Sequence, residues 1–485
     1  MRLTSAQTDR AAGVLLGQAI GDALGVPYEF GSAPLVPGHA ELIGGGLGGF
    51  APGEWSDDTA MAACIARVSA TGADLTGDDA LAAVAQGFVE WIDDDPADVG
   101  MQIGAILRDV ATLPHDASAA VLARMRQLSD AAAAQDKAGN GALMRTGVVG
   151  LVALDDRERT ARAAAAVAAL THADSRCVDS CVLWSEAVRV AVIERRLDVR
   201  AGLDLLPEER RGQWETWIDE AETWTPSQFA PNGYTVTAFQ AAWAAIHATA
   251  GSREAYGADH VEDALQTAIA IGDDTDTVAA IAGALLGARY GVSGLPTDRA
   301  RRVHGWPHLR GRDLVGLALA TATREQGAWP QRKTMRTGFN RPLAVPHPAD
   351  SGVLLGTEAN LDQVADPRAT AVVSLSRVGT ADIAAAASAT GKHVEVWLVD
   401  SDSPDGNADL AWTLRDAART VRRLREEGET VLLHCVAAFH RTPSVALAYA
   451  RLIGVDADTA ARDIEAVLGR RIGGRLWETA RTMPL

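Results

Sequence analysis

The 485-residue sequence predicts a multidomain protein in which an all-α N-terminal domain precedes a smaller α/β domain. Between Thr59 and Ala322, Ala-rich segments follow one another with apolar residues at helical spacing and few β-branched runs. After Arg324, short apolar runs typical of strands alternate with helical segments, a pattern that indicates a parallel sheet flanked by helices. The change of texture near Arg324 therefore marks a domain boundary.

The helical part is divided by turns rich in Gly, Pro and Asp, which separate segments with helical periodicity. The clearest of these segments are Asp79–Trp91, Arg157–Leu170, Val178–Arg195, Thr235–Thr249 and Val278–Arg289. We expect them to form one all-α domain over residues 1–325.

The C-terminal part begins with a stretch, residues 326–348, that is rich in Pro, Gly and basic residues and predicts a linker or extended arm. A second domain, with a parallel sheet, is then expected over residues 349–485. Its strands are predicted at 352–356, 371–375, 393–399 and 430–434, and its main helices at 408–427 and 443–452.

Composition excludes several classes of function. Lys and Arg total 45 against 63 Asp and Glu, so the net charge of −18 repels polyanions and argues against bulk nucleic-acid binding. A small phosphorylated ligand in a local pocket remains compatible with this charge.

No apolar stretch is long enough for a membrane span, and no signal peptide is evident, so we expect a soluble, cytoplasmic protein. The cysteines are too few for a disulfide framework: Cys64, Cys177, Cys181 and Cys435.

Two short acidic clusters carry matching chemistry far apart in the chain. They are Ser56-Asp57-Asp58-Thr59 and Asp273-Asp274-Thr275-Asp276-Thr277. Each precedes an Ala-rich helix, where such residues are ordinarily solvated N-caps. Carboxylate and hydroxyl oxygens are also the ligands that Mg²⁺, Mn²⁺ and Ca²⁺ prefer. Two clusters of the same kind therefore predict two halves of one metal site.

Near the N-terminus, glycines recur at every fourth position from Gly13 to Gly25, and Glu29 follows a Gly/Pro turn. Glycines at this spacing on a helix allow another backbone to approach closely. Glu29 lies between two aromatic residues, and an apolar environment raises the pKa of a carboxyl group toward the range useful for acid–base catalysis. Glu29 is therefore a candidate catalytic residue.

These segments, in this order, resemble the ADP-ribosylglycohydrolases, the family that includes dinitrogenase-reductase-activating glycohydrolase. The resemblance covers roughly residues 8–325. The motifs that carry it are Gly21-Asp22-Ala23-Leu24-Gly25-x-Pro27-x-Glu29, Trp55-Ser56-Asp57-Asp58-Thr59, Asn140-Gly141-Ala142-Leu143-Met144-Arg145, Thr171-His172 and Gly272-Asp273-Asp274-Thr275-Asp276-Thr277.

The resemblance implies a compact all-α fold with two Mg²⁺ ions at the bottom of a cleft, a site that Mn²⁺ would also suit. Its implied substrate is an ADP-ribosylated protein or small molecule, with Glu29 as acid/base. The implied metal ligands are Ser56, Asp57, Asp58, Asp274, Asp276 and Thr277. The implied ligand-binding residues are Gly100, Asn140, Gly141, Met144, Arg145 and His172. For Arg145 a structural ion pair, and for His172 a core histidine, are the alternative interpretations.

A second motif, Cys435-x₅-Arg441, follows a predicted strand and opens a predicted helix. Over roughly residues 350–470 this part resembles the tyrosine and dual-specificity phosphatases. The resemblance implies that the loop binds a phosphorylated ligand, with Cys435 as nucleophile, Arg441 as phosphate clamp and Thr442 near the leaving thiolate. The general acid would be Asp400 or Asp402, with Asp405 also in range.

One residue departs from the phosphatase pattern, because Ala438 stands where a glycine is usual. Either Ala438 adopts a strained backbone conformation or the loop has another shape. A degenerate domain that binds phosphate without turnover is the alternative to an active enzyme.

The main hypothesis is a Mg²⁺-dependent hydrolase that removes ADP-ribose, with a phosphatase-like domain fused behind it. One alternative is a reader that binds ADP-ribose without cleaving it. Another is a phosphatase whose main activity lies in the C-terminal domain.

Overall fold

A computed structural model describes residues 2–114, 117–251, 257–324, 341–361, 369–378 and 391–485. The chain divides into two compact units. The first comprises residues 1–255, 259–295 and 302–328, and the second comprises residues 256–258, 296–301 and 329–485. Residues 326–340 of the expected linker lie outside the described residues.

In its described residues, the first unit is helical apart from a two-stranded antiparallel hairpin of β1 (His304–Gly305) and β2 (Leu309–Arg310). Its main helices are α1 (Ser5–Gly25), α2 (Asp57–Ser69), α3 (Asp78–Asp93), α4 (Met101–Val110), α5 (Ser118–Ala133), α6 (Arg157–Ala168), α7 (Ser175–Glu194), α8 (Glu208–Thr223), α9 (Thr235–Thr249), α10 (Asp259–Ala270), α11 (Thr275–Tyr290) and α13 (Gly311–Thr323), while the short α12 (Thr297–Ala300) groups with the second unit. The mostly helical first unit agrees with the expectation of an all-α domain.

Helices α1 and α11 pack against each other at the centre of this unit, and both are buried on nearly all sides. Their contact is unusually close because glycines meet across it: a Cβ on Gly13, Gly17 or Gly21 would lie closer than 3.0 Å to a backbone carbonyl oxygen of α11. This confirms the prediction that the glycine stripe serves close backbone approach. The packing brings Gly25, the last residue of α1, against the backbone of Asp276 at the start of α11.

The second unit contains a five-stranded sheet in the order β3-β4-β7-β5-β6. Its strands are β3 (Val345–His347), β4 (Asp350–Thr357), β5 (Ala371–Ser374), β6 (His393–Glu395) and β7 (Val431–Cys435). Neighbours are parallel except for β3, which pairs antiparallel with β4. Residues 345–347, expected within the linker, are therefore a strand, and their pairing with the longer β4 supplies the hydrogen bonds that an extended arm would lack.

In the described part of this unit, four helices accompany the sheet: α14 (Leu410–Glu426), α15 (Arg441–Leu452), α16 (Ala457–Leu468) and α17 (Arg475–Thr482). Apolar residues of the strands and helices form one buried core, which includes Val373, Leu433 and Val445. The central strand β7 ends at Cys435 and α15 begins at Arg441, so the second motif occupies a strand-to-helix loop. None of the helices in the described parts of either unit is long and apolar enough to cross a membrane.

Candidate metal centre and active site

The start of α2 is held by a carboxylate from α1. Asp22 accepts hydrogen bonds from the backbone N–H groups of Ser56, at 2.8 Å, and Thr59, at 3.0 Å. The Ser56 hydroxyl does not cap its own helix and lies 2.9 Å from carboxylate oxygens of both Asp22 and Asp58. The first acidic cluster is therefore buried rather than a solvated cap. Asp22 received no role from the sequence, although it lies within the same motif as Glu29.

The start of α11 is held by two asparagines. Asn140 Nδ2 donates to Asp274 Oδ2 at 2.7 Å, and the Asp274 N–H donates to Asn232 Oδ1 at 2.9 Å. Asn232 is fully buried, and its side-chain amide donates to the carbonyl of Gly272. Sequence reasoning missed Asn232, because no acidic or glycine-rich pattern surrounds it.

The packing of α1, α2 and α11 assembles two carboxylate triads that share Asp276. In the first triad, carboxylate oxygens of Asp22, Asp58 and Asp276 lie within 4.8 Å of one another. In the second triad, carboxylate oxygens of Glu29, Asp274 and Asp276 lie within 4.8 Å of one another. Glu29 thus lies inside the acidic cluster and not apart from it.

The chemistry of these groups fits a hard divalent cation. Both triads offer oxygen atoms alone, which suits Mg²⁺, Mn²⁺ or Ca²⁺ better than a soft metal. Asp58 Oδ1 is buried and finds no hydrogen-bond partner among the described residues. An unpaired buried carboxylate oxygen is costly, and a cation would supply its missing partner.

Crowding and burial hold protons on the carboxyl groups when no cation neutralises them. Burial, with added repulsion from Asp98 and Asp274, raises the pKa of Glu29 to about 8. Burial also raises the pKa of Asp22 to about 6, against hydrogen bonds from Thr59 and Ser56 that lower it. The pKa values of Asp58 and Asp276 are raised well above the usual range, mainly by burial.

The triads open into a cavity of ≈ 1030 Å³. Glu29, Asp57, Asp274, Asp276 and Thr277 lie at its acidic end. Its other walls come largely from α4, α5 and the loops around Asn140 and Tyr234. The predicted ligand-binding residues that line it are Gly100, Asn140, Gly141, Met144 and His172.

Arg145 is fully buried and does not line the cavity with the other predicted ligand-binding residues. Its guanidinium donates to the carbonyl of Gly141 at 2.8 Å and to Thr171 Oγ1 at 2.7 Å, and it lies over the ring of Phe88. Arg145 therefore supports the wall of the cavity from behind, through hydrogen bonds rather than the ion pair considered from the sequence.

These contacts also surround His172. Thr171 Oγ1 accepts from Arg145 and lies 2.8 Å from His172 Nδ1. Burial, followed by the charge of Arg145, lowers the pKa of His172 to about 3, which makes the ring neutral. We expect Nδ1 to accept the Thr171 hydroxyl hydrogen and the ring proton to reside on Nε2, where it would be available to a ligand at the cavity wall.

A profile of the family described as ADP-ribosylglycohydrolase matches residues 3–331, which is more than half of the chain. The chain belongs to the ADP-ribosylglycohydrolase family. The family is metal-dependent, in agreement with the acidic clusters described above.

Relatives of this chain include the ADP-ribosylarginine hydrolase Tri1 of Pseudomonas putida (strain GB-1). It is 29% identical over 315 residues, which span 62% of this chain and 76% of the relative. The ADP-ribosyl-[dinitrogen reductase] glycohydrolase of Rhodospirillum rubrum is 27% identical over 302 residues, or 60% of this chain and 88% of the relative. A solved structure described as an ADP-ribosylglycohydrolase-related protein complex is 26% identical, covers 66% of this chain and 99% of its own, and has a TM-score of 0.49.

The family match ends before the second motif, so the loop from Cys435 to Arg441 is described from its geometry alone. Cys435 is buried, and Ala438 has a φ of 53°, in the left-handed region. A non-glycine residue pays roughly 1–2 kcal/mol for this conformation. Of the two outcomes expected for Ala438, the structure has the strained one.

Arg441 is 8% exposed, and its Nη1 donates to the carbonyls of Leu375, at 2.9 Å, and Leu398, at 3.2 Å. Its buried Nε has no hydrogen-bond partner among the described residues, and the nearest carboxylate, that of Asp400, lies 3.8 Å away. The hydroxyl of Thr442 is 3.5 Å from the carbonyl of Gly356.

Two acid candidates from the sequence have different surroundings. Asp400 lies beside the loop, where its Oδ1 is 2.9 Å from His440 Nδ1. Asp402 instead accepts the backbone N–H of Arg475 at 2.7 Å, at the start of α17. The geometry therefore favours Asp400 over Asp402 as the acidic residue of this loop.

Proposed function

We propose that the first unit is a divalent-metal-dependent hydrolase that releases ADP-ribose from an ADP-ribosylated substrate by cleaving the glycosidic bond. The observation that carries this proposal is the pair of carboxylate triads sharing Asp276, which lie at the end of a cavity large enough for a ligand of this size. The names of the relatives support the same reaction.

Two cations, Mg²⁺ or Mn²⁺, would be held by the oxygen ligands predicted from the sequence: Ser56, Asp57, Asp58, Asp274, Asp276 and Thr277. When bound, they would neutralise the carboxylates and supply Lewis-acid polarisation beside the scissile bond. Asp22 supports this arrangement from α1, because it fixes the backbone that carries Ser56 and Thr59.

Glu29 is the candidate acid/base. In the hydrolysis, the bond between the anomeric carbon and the leaving atom breaks, and a bond from that carbon to a water oxygen forms. Glu29 lines the acidic end of the cavity, where it would accept a proton from this water and return one to the leaving group.

The remaining walls suit the rest of ADP-ribose. The loop from Gly139 to Gly141 brings backbone close to His172, whose Nε2–H would donate to the ligand. Met101, Ile103 and Ile106 present apolar surface on α4. We assign the diphosphate to the loop and the adenine to the apolar surface.

We propose ADP-ribosyl-arginine as the first linkage to test, because relatives at 27–29% identity are named ADP-ribosylarginine hydrolases. Release of free ADP-ribose should be measured from ADP-ribosyl-arginine and ADP-ribosyl-serine peptides, with Mg²⁺ and then with EDTA. Release from the arginine peptide that EDTA abolishes is the expected result. Tight binding of ADP-ribose with no release from either peptide would favour a reader.

A second candidate function lies in the loop from Cys435 to Arg441, which we propose as a cysteine-dependent phosphatase site. The specific observation is the buried Nε of Arg441, the residue that ends this loop: it has no hydrogen-bond partner among the described residues and is a donor suited to a phosphate oxygen. The Cys435 thiolate would attack phosphorus and displace the ester oxygen, which takes a proton from Asp400, and water would then release phosphate from the cysteine.

This second function is tested by hydrolysis of a phenyl phosphate ester. Wild-type turnover that Cys435→Ser abolishes would support it. Phosphate binding without turnover would indicate a degenerate domain, and absence of both would exclude this site.

A further inference from the structure

Arg470 reaches the Cys435 loop from outside the motif that defines it. It follows α16 and the left-handed Gly469, which ends that helix. The Arg470 Nη2 donates a hydrogen bond to the carbonyl of Ala438, and its guanidinium carbon lies 4.4 Å from the centre of the Phe439 ring. Two adjacent loop residues are thus in contact with one cation.

The residue that Arg470 holds is the strained one. Ala438 has a φ of 53°, which a side-chain-bearing residue adopts only when its surroundings require it. In a planar trans peptide, the carbonyl of Ala438 and the N–H of Phe439 point in opposite directions. By binding that carbonyl, Arg470 therefore determines the direction of the following N–H as well.

The loop presents donors in excess of acceptors. The buried Nε atoms of both Arg441 and Arg470 have no hydrogen-bond partner among the described residues. In the same part of the chain, the backbone N–H groups of Ala437, Ala438 and His440 donate to no described backbone or side-chain acceptor. The N-terminus of α15 also has no side-chain cap. The carboxylate of Asp400 lies 3.8 Å from Arg441 Nε and contacts His440.

Unpaired buried donors are costly unless a ligand satisfies them. Converging N–H groups and a helix N-terminus together favour an oxyanion. A phosphate dianion has enough acceptor oxygens for both guanidinium groups and the backbone.

We propose that Arg470 is a positioning residue of a phosphate site in this loop, where it holds Ala438 in the left-handed conformation that keeps the loop open to a phosphate dianion. The inference rests on the second proposed function, and it explains how the loop functions without the glycine usual at position 438. Arg470 acts through the backbone of the loop, and Cys435 and Arg441 remain the groups that would touch the phosphate.

The test measures inorganic phosphate binding to the full chain by calorimetry, for wild type, Arg470→Met and the double variant Arg470→Met/Ala438→Gly. The neighbouring Arg471 is exposed and pairs with Glu465, so Arg471→Met is the matched control. ADP-ribose release by the first unit and the melting temperature verify that each variant is folded.

We expect Arg470→Met to weaken phosphate binding at least tenfold, which corresponds to about 1.4 kcal/mol, while Arg471→Met binds as wild type does. Because glycine adopts a positive φ without a steric penalty, Ala438→Gly should recover at least half of the loss on a logarithmic scale. Wild-type affinity in Arg470→Met, or no recovery in the double variant, would refute the role of Arg470. Absence of phosphate binding in wild type would instead refute the phosphate site itself.

Discussion

Replacement of Asp276 by Asn should change stability in opposite directions with and without metal. Asp276 belongs to both triads, so it takes part in four of the six carboxylate pairs whose oxygens lie within 4.8 Å. Two unit charges at 4.8 Å repel by about 3.5 kcal/mol at an effective dielectric constant of about 20. In the metal-free protein, protonation of Asp276 relieves part of this repulsion, since burial and then the neighbouring carboxylates raise its pKa well above the usual range.

The pKa of Asp276 is raised well above its usual value, first by burial and then by repulsion from Asp58, Glu29 and Asp274. If the neutral amide of Asp276→Asn removes a share of the pairwise repulsion of about 3.5 kcal/mol, the metal-free variant gains roughly 1–3 kcal/mol, or about 2–6 °C in melting temperature. Wild type at a metal concentration of about 100 Kd gains about 2.7 kcal/mol, and the variant should gain little of this.

The assay is thermal unfolding at pH 8 in EDTA and in excess Mg²⁺ or Mn²⁺, with ADP-ribose release measured in parallel. Asp130→Asn on α5 is the matched control, since Asp130 is exposed and outside the cavity. We expect Asp276→Asn to melt above wild type in EDTA, below it in metal, and to release no ADP-ribose. A variant that melts below wild type in EDTA, or that keeps the full metal-induced stabilisation, would refute the account of the site as a repulsive cluster relieved by cations.

Three further predictions follow from the same site and its scaffold. The metal-free protein should lose stability as the pH rises from about 4 to about 8. Asp22 and Glu29 have folded-state pKa values of about 6 and about 8, above their unfolded values, so the folded protein retains protons that the unfolded chain releases. Melting temperatures in EDTA that stay level or rise over this range would contradict the pKa assignments. Thr171→Val should weaken ADP-ribose binding about tenfold, since it removes both the acceptor of Arg145 and the expected donor to His172 Nδ1. The ¹⁵N shifts of His172 should show the Nε2–H tautomer in wild type. An Nδ1–H tautomer in wild type would contradict the role given to Thr171. Gly21→Ala should destabilise the first unit by about 3 kcal/mol or more and impair metal binding, because the new Cβ would collide with the Ala279 carbonyl and overpack a core contact. Gly212→Ala on α8 is the control. A Cβ at Gly212 meets nothing within 4 Å, so this variant should be neutral or slightly stabilised.

The sequence alone indicated three of the five carboxylates in the triads as metal ligands, Asp58, Asp274 and Asp276, because they lie within two short acidic segments. Ser56 to Asp58 and Asp274 to Thr277 are close in space simply because they are close in the chain. The close approach of another backbone to the glycines of α1 was also predictable, since their spacing on a helix follows directly from their spacing in the sequence. Recognisable local patterns of this kind were sufficient for the family and for the helical character of its domain.

Tertiary structure decided how these segments combine. Only the packing of α1 on α11 shows that Asp276 is shared by two triads and that Glu29 lies inside the cluster. Asp22 and Asn232 act through hydrogen bonds to segments more than 30 residues away, so their roles could not be assigned from the residues next to them in the chain.

Tertiary structure also decided the surroundings of residues that the sequence had named as site residues. Arg145 is a buried support rather than a wall of the cavity, and Asp402 is engaged by α17 while Asp400 faces the loop. Arg470 follows the end of α16, whereas the loop that it contacts lies before the start of α15. Side-chain direction and long-range contact depend on how helices and strands pack, and a linear sequence specifies these only through the energy of the whole fold.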